Sequence, residues 1–548
     1  MRTYFITASL VSVLLVLLLA LLWSPILWVL LVLLPLIGVG VHDMRQTEHS
    51  LRRNFPLFSR GRWMLEGLRP FVRQYLFESE TDGAPVSRMF RSVVYQRAKG
   101  ENDTVPFGTK FDTYRDGYEW IAHSLAAIDI HGTDNDPRVK VGGPDCQQPY
   151  NASLLNISAM SFGSLSANAI RALNDGARMG GFAHNTGEGG LSSHHLEGGG
   201  DIIWQIGTGY FGCRTADGGF DADKFAANAT REQVKMIEIK LSQGAKPGHG
   251  GILPAVKNTA EIAAARGVEE GTMVASPPSH SAFTTPLEMM HFIAELRELS
   301  GGKPIGFKLC VGRESEFIAI CKAMIATGIK PDFITVDGGE GGTGAAPLEF
   351  SNSVGMPLRD GLAFVCDCLS GFDLKKDIRV IAVGKIFTAF HIVKNLSIGA
   401  DLCYCARGFM MSLGCVQSLV CNTNHCPTGV ATQDPKLAKG LVITDKRVRV
   451  QRFHDETIER VNEIVAAAGL CTPCELNRTH VYRRINQHDI RRYDQLFPYT
   501  DVGSLLQAPY PGRFEQQMAE SDINTFMPVS YIAEHTAGIR QLDEAASA

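Results

Sequence analysis

Apolar residues run almost unbroken over positions 4–23 and again over 26–41, with Ser24 and Pro25 as the break between them. The first run is long enough to cross about 30 Å of hydrocarbon as a helix rising about 1.5 Å per residue. The second is shorter and carries Pro35. Together they predict a transmembrane helical hairpin over 1–41. A cleaved signal peptide is the competing reading, but its apolar core spans only about 7–15 residues, and no small-residue cleavage site ends this run. Arg2 precedes the pair, and Arg45, Arg52, Arg53, Arg60 and Arg62 follow it. By the positive-inside rule both flanks are expected on the cytoplasmic side of the cytoplasmic membrane.

Residues 42–150 read as mixed helix and loop, a connecting layer without repeats. Beyond them the pattern changes to short β-rich runs alternating with helical periodicity. The runs fall at 154–158, 182–185, 234–240, 272–275, 304–309, 332–336, 379–383 and 401–405. Eight such units predict an α/β fold, a closed (β/α)8 TIM barrel over 151–475, in preference to an open doubly wound sheet. The segment 476–548 reads as a polar C-terminal extension. Its Arg483, Arg484, Arg491 and Arg492 look like the solvated face of a helix.

Composition narrows the class further. The chain has 548 residues, 45% hydrophobic and 20% charged, which excludes disorder, collagen and coiled coil. A net charge of −4 from 53 basic and 57 acidic residues supplies no cationic field for a phosphate backbone, so no nucleic acid partner is expected. Thirteen cysteines, none before Cys146, are too dilute for a disulfide scaffold and suit ligation or packing in a reducing compartment.

The 55 glycines concentrate after the expected strands, in SFGSLS (161–166), NTGEGG (185–190), SQGAKPGHGG (242–251), DGGEGGTG (337–344), Gly384-Lys385 and Ala406-Arg407-Gly408. In a barrel these loops share the C-terminal rim, and bare backbone after strands seven and eight commonly holds a phosphate, which makes Gly384, Arg407 and Gly408 candidates. Gly339, Gly341 and Gly344 also match G-x-G-x-x-G, but not in the βαβ context that a dinucleotide site needs. Cys415, Cys421 and Cys426 form C-x5-C-x4-C, followed by Pro427. On spacing alone an iron–sulfur cluster, a zinc site completed by His425 and plain packing all remain open. Cys403 and Cys405 share a strand face and read as core. The isolated Cys471-x-x-Cys474 and the adjacent His194-His195 carry no clear metal signal.

The ordered set AMSFGSLS, NTGEGG, SQGAKPGxGG, SPPxH, DGGxGGTGAxP and C-x5-C-x4-C-P-x-G-V-A-T-Q resembles the FMN-binding synthase domain of glutamate synthase over roughly residues 85–475. It is closer to the short glutamate-synthase-like proteins than to the full multidomain enzyme. The resemblance implies FMN held by Ser161, Gly163, Lys308, Asp337, Gly338, Gly339, Gly384, Arg407 and Gly408. It also implies a [3Fe–4S] cluster on Cys415, Cys421 and Cys426. Lys308 takes the family position of the cation that favours reduced flavin. Lys246 and Arg266 align with positions that contact 2-oxoglutarate, although Arg266 could be an ordinary helix-surface charge. Glu188 matches a carboxylate able to orient an imine or ammonium, against a bland role as a loop acceptor.

The implied reaction is reductive amination of 2-oxoglutarate or a related 2-oxo acid, with a small-molecule amine donor. An electron-donor protein, ferredoxin-like or NAD(P)H-oxidising, would complete it, and the catalytic domain would face the cytoplasm. Two rivals are a membrane-linked flavin dehydrogenase oxidising an amino or hydroxy acid and a non-catalytic barrel scaffold. One loop departs from the family: EGGQ is replaced by His249, Gly250, Gly251 and Ile252, so an acid and an amide near the substrate are missing. The first cysteine, Cys146, is not N-terminal. The family's glutaminase nucleophile is therefore not expected here, nor is glutamine hydrolysis by this chain alone.

Overall fold

The structure is a computed structural model that describes residues 1–529. The part of the expected C-terminal extension at 530–548 lies outside the described residues. The chain divides into two compact units, the first Met1–Arg88 and the second beginning at Met89. The expected connecting layer is therefore shared between them.

In the first unit, α1 (Arg2–Ala20) and α2 (Leu30–Arg45) are joined by a 3-10 turn, Ser24–Val29, that begins at the Ser24-Pro25 break. Both helices are apolar and almost wholly exposed, and each is long enough, counting the turn with α2, to cross a membrane. Pro35 sits inside α2. A third long helix, α3 (Phe58–Val72), follows a short one at Ser50–Asn54.

The second unit is built on eight parallel strands closed into a barrel. They are β1 (Leu155–Ile157), β2 (His184–Asn185), β3 (Ile202–Ile206), β4 (Val234–Lys240), β5 (Ile305–Leu309), β6 (Phe333–Asp337), β7 (Arg379–Val383) and β8 (Leu402–Cys405), each hydrogen-bonded to the next and β8 to β1. The count and fold class agree with the sequence, but one assignment changes. Residues 272–275 are not a barrel strand: Val274–Ala275 pairs antiparallel with Ile252–Leu253 in a small hairpin outside the barrel. The missing strand is β3, IIWQI, every residue of which is buried. Its apolar run is as short as its neighbours and lacks alternation, because a strand covered on both faces has no polar side to mark it.

The barrel interior is not wholly apolar. Glu238 on β4 is fully buried and accepts hydrogen bonds from Asn185 (2.9 Å), Gln205 (2.6 Å) and Thr335 (2.6 Å), one residue from each of β2, β3 and β6. These three donors offset the desolvation of the carboxylate. Around the barrel, the helix Ala167–Gly180 begins at Ser166, whose hydroxyl accepts from the Ala169 N–H, and ends at Gly181 with φ +66°. The long helix Ile443–Ala467 packs on it so closely that a Cβ at Gly176 would lie 2.6 Å from the Val450 side chain.

The C-terminal segment also departs from expectation. Arg483 and Arg484 lie in the strand Val481–Arg484, and Arg491 and Arg492 in Ile490–Arg492, an antiparallel pair to which Glu119–Ile121 adds a third strand. They are not a solvated helix face. Arg484 is buried, and Arg483 forms an ion pair with Glu119, which Arg359 and Lys394 also reach at 3.2 Å.

Candidate functional site

The glycine loops anticipated from the sequence do follow the barrel strands on one rim, and they bring charged side chains together. β4 ends at Lys240, whose Nζ lies 2.8 Å from Glu188 Oε1 in the loop after β2. Lys246, in the loop after β4, is buried and donates to the Gly250 carbonyl at 2.9 Å. Arg266 ends the short helix Ala260–Arg266, donates to the Phe162 carbonyl at 3.2 Å and stacks 5.1 Å from the Phe211 ring centre. It is 5% exposed, so it is not a helix-surface charge.

Burial pushes the Glu188 carboxyl up, but Lys240, Lys246 and Arg266 outweigh it and hold the group below its usual range. The same burial lowers Lys246, and it lowers Arg266 to about 10. Three cations thus face one carboxylate in a largely dehydrated mouth, an excess of positive charge that a dianionic or monoanionic small molecule can neutralise. A Cβ at Gly251 would lie 2.6 Å from Glu188 Oε1, so a larger residue there would displace the carboxylate.

The second group lies at the ends of β5 and β6. Lys308 Nζ is 3.0 Å from Asp337 Oδ2, and the same oxygen accepts from the Gly244 N–H at 3.1 Å. Burial works against the Lys308 charge, but Asp337 and Glu238 outweigh it and raise its pKa above the usual lysine range. Glu188 acts on Lys308 in the same direction, which links the two groups. The Gly338 N–H donates to the Val383 carbonyl (2.9 Å) and the Gly339 N–H to that of Met356 (2.8 Å). A Cβ at Gly244 would stand 1.7 Å from the Gly338 carbonyl oxygen.

At the ends of β7 and β8, Gly384 (φ +149°) and Lys385 (φ +47°) turn the chain beside Arg407 and Gly408. Burial lowers the pKa of both Lys385 and Arg407, and the Arg407 charge lowers that of Lys385 further. Arg407 is held by the Glu340 carbonyl at 3.4 Å rather than by a carboxylate. Ser161 and Gly163 fall elsewhere: Ser161 packs under Gly187 and Gly189, and a Cβ at Gly163 would lie 3.2 Å from Arg266. Both therefore border the Glu188 and Arg266 side of the mouth.

Cys415, Cys421 and Cys426 are free thiols in a loop bent by positive φ at Gln417, Leu419 and Asn424. Burial raises Cys415 to about 11, with Cys421 and Cys426 adding to the rise, and burial also raises Cys421, with Cys426 acting in the same direction. Burial acts the same way on Cys426, but the Thr428 hydroxyl and the N–H groups of Ala431, Thr428 and Val430 outweigh it and bring this thiol below its usual value. The loop touches the rest of the rim through Gly344, where a Cβ would lie 3.5 Å from Cys421 Cβ. His425 is exposed, and among the described residues no three His, Cys, Asp or Glu side chains gather as ligands of a single ion. Cys403 and Cys405 are buried on β8, while Cys471 and Cys474 are exposed.

Several participants were not anticipated. Lys240 was legible as a polar end to an otherwise buried strand. His280, in SPPSH, bonds the Lys240 carbonyl at 2.9 Å and Tyr210 at 3.1 Å, and burial lowers its pKa to about 4, so it is neutral at pH 7. Lys257 had no local signal. It is buried, and its Nζ donates to the carbonyls of Cys421 (2.8 Å), Ala431 (2.9 Å) and Ser164 (3.3 Å).

Residues 125–471 match the model of the conserved region in glutamate synthase. A glutamate synthase large subunit-like protein of Bacillus subtilis, YerD, is 37% identical over 496 residues, covering 84% of this chain and 94% of that protein. An archaeal-type glutamate synthase [NADPH] of Thermotoga maritima is 31% identical over 431 residues, covering 77% of this chain and 80% of the other. Among solved structures, a mutant flavocytochrome b2 with pyruvate bound overlaps 76% of this chain and 85% of its own, at 12% identity and a TM-score of 0.40.

Proposed function

The chain belongs to the glutamate synthase family, and from that premise we propose that it is a membrane-tethered FMN and iron–sulfur oxidoreductase that reductively aminates 2-oxoglutarate or a related 2-oxo acid. The observation that carries this reading is the set of three cations, Lys240, Lys246 and Arg266, on the single carboxylate of Glu188 at the barrel mouth. Lys246 and Arg266 supply the positive charge that the carboxylates of an oxo acid need. Glu188, ionised and fixed by Lys240, accepts a hydrogen bond from the nitrogen that replaces the oxo group and orients it. Neutral His280 anchors the end of β4 and so keeps Lys240 in place.

The fit of FMN rests on two features of this chain. Arg407, half-buried, and Lys385, exposed, whose charges act on each other at the ends of β7 and β8, suit a phosphate. Lys308, charged at neutral pH beside Asp337, suits the edge of a ring that gains negative charge on reduction. Bound FMN would supply the electron pair for the new C–H bond. A [3Fe–4S] cluster on Cys415, Cys421 and Cys426 is supported by three free thiols in one loop, with Cys421 and Cys426 both acting electrostatically on Cys415. Its supply would be single electrons from a ferredoxin-like or NAD(P)H-oxidising partner.

Tethering to the cytoplasmic membrane, with the barrel on the cytoplasmic side, is supported by the two exposed apolar helices and the arginines that follow them.

The test is stopped-flow absorbance of the anaerobically reduced, purified protein, mixed with a panel of 2-oxo acids, ammonium and glutamine, separately and in pairs. The expected result is flavin reoxidation when a 2-oxo acid and ammonium are supplied together. No reoxidation with any oxo acid and amine would overturn the reading in favour of an amino- or hydroxy-acid dehydrogenase. A colourless purified protein would remove the flavin altogether.

A further inference from the structure

The N-terminal unit carries an apolar surface beyond its two long apolar helices. A groove of about 790 Å³ runs along α3 and the turn after it, lined by Phe58, Leu65, Leu68, Val72 and Phe77, with Arg62, Arg69 and Arg73 on the same surface. Phe58 is 77% exposed, Leu65 64% and Phe77 78%. Positions 58, 61, 65, 68 and 72 follow the helical period, so this is one continuous face. Over residues 50–77 six arginines stand against one acid, Glu66. Arg62 and Arg69 both reach Glu66, each at 3.9 Å, so two guanidinium groups share one carboxylate and positive charge is left over.

The start of α3 is fixed to the end of α2. The fully buried carboxylate of Asp43 takes Arg60 at 2.7 Å and the Leu57 N–H at 3.1 Å. Gln46 donates to the carbonyls of Asp43 (3.0 Å) and His49 (2.8 Å), and Trp63 lies 5.6 Å from the His49 ring. The exposed face of α3 is therefore held close to where the apolar stretch of α2 ends.

We propose that α3 lies in the membrane interface and that its groove takes an acyl chain of an anionic phospholipid, whose phosphate meets Arg62, Arg69 and Arg73. The inference rests on the membrane reading above. An apolar face with a cationic rim partitions to the boundary between headgroups and chains, and its net charge selects anionic over zwitterionic lipid. A planar guanidinium fits a phosphate with two parallel hydrogen bonds. The arginines thus do more than orient the hairpin: they form a second attachment, which sets the height of α3 against the leaflet.

Hydrogen–deuterium exchange of the full-length protein tests this, in nanodiscs of phosphatidylcholine with and without phosphatidylglycerol. Peptides over 58–77 should exchange at least about tenfold more slowly in the anionic discs. The triple variant Arg62→Glu, Arg69→Glu, Arg73→Glu should lose that difference, while peptides of α1 stay equally protected and flavin content is unchanged. Equal exchange of 58–77 in both discs overturns the proposal. So does protection that grows with the number of chains per disc and ignores the headgroup, since it would assign the groove to a second copy. A chain that does not enter discs, with α1 exchanging freely, would overturn the membrane reading and this inference with it.

Discussion

Replacing Lys257 with methionine removes a charge and three hydrogen bonds while keeping most of the side chain's volume. All three Nζ protons are committed to carbonyls, two in the cysteine loop and one in the loop after β1. Losing a charged donor from buried acceptors costs about 1 kcal/mol or more for each, so the cysteine loop, which holds two of the three, should lose about 2 kcal/mol of local stability. The electrostatic effect is separate. Nζ is 2.8 Å from the Cys421 carbonyl oxygen, which puts it within about 7 Å of that residue's sulfur by covalent geometry. At an effective dielectric constant of about 20 a unit charge at that range is worth about 2 kcal/mol. That is a roughly thirtyfold change in electron affinity, or about 90 mV for one electron.

With the cluster bound as proposed, Lys257→Met should therefore be harder to reduce by about that amount, and Lys257→Arg should hold the parental potential. The assay is a redox titration followed by electron paramagnetic resonance, with iron and sulfide per chain measured alongside. Iron lost from the methionine variant but kept in the arginine variant would still assign the loop's order to this cation. A methionine variant with full iron and an unchanged potential would refute the reasoning.

Cys421→Ser should abolish iron and sulfide while FMN remains bound, because the thiols and the cations at the ends of β7 and β8 lie on different segments; elemental analysis beside flavin absorbance checks it, and full iron occupancy would remove Cys421 as a ligand. Gly244→Ala would press a methyl group onto the Gly338 carbonyl and should cost about 1–3 kcal/mol with a fall in flavin content; a parental flavin-to-protein ratio contradicts it. Burial pushes Glu119 up, but Lys394 and Arg483 outweigh it and bring its pKa to about 2. A carboxylate depressed on folding stabilises the fold above its unfolded value and loses that contribution as pH falls through the folded value. Thermal melts should therefore show a contribution of about 3 kcal/mol that fades between about pH 4.5 and 2, and Glu119→Gln should melt lower at pH 7 and lack this dependence.

What the sequence determined by itself were features set by local pattern. Two nearly unbroken apolar runs around Ser24-Pro25 are helices wherever they sit, because no charged position interrupts them. The strand-and-glycine rhythm specified a closed eight-strand barrel, and the spacing of Cys415, Cys421 and Cys426 marked one loop. Glu188, Lys246 and Arg266 were legible from motifs, but their convergence was not, since they come from three separate loops and helices. Tertiary structure alone decided that β3, not 272–275, completes the barrel, because a short apolar run reads alike whether it enters a closed sheet or a surface hairpin. It also decided that the C-terminal arginines form strands: Arg483 meets Glu119 from far along the chain, and no local period records a charge whose partner lies hundreds of residues away. Lys257 shows the same limit, being an ordinary lysine in sequence that becomes a buried three-way donor only when the chain from Ser164 and the loop of Cys421 close over it.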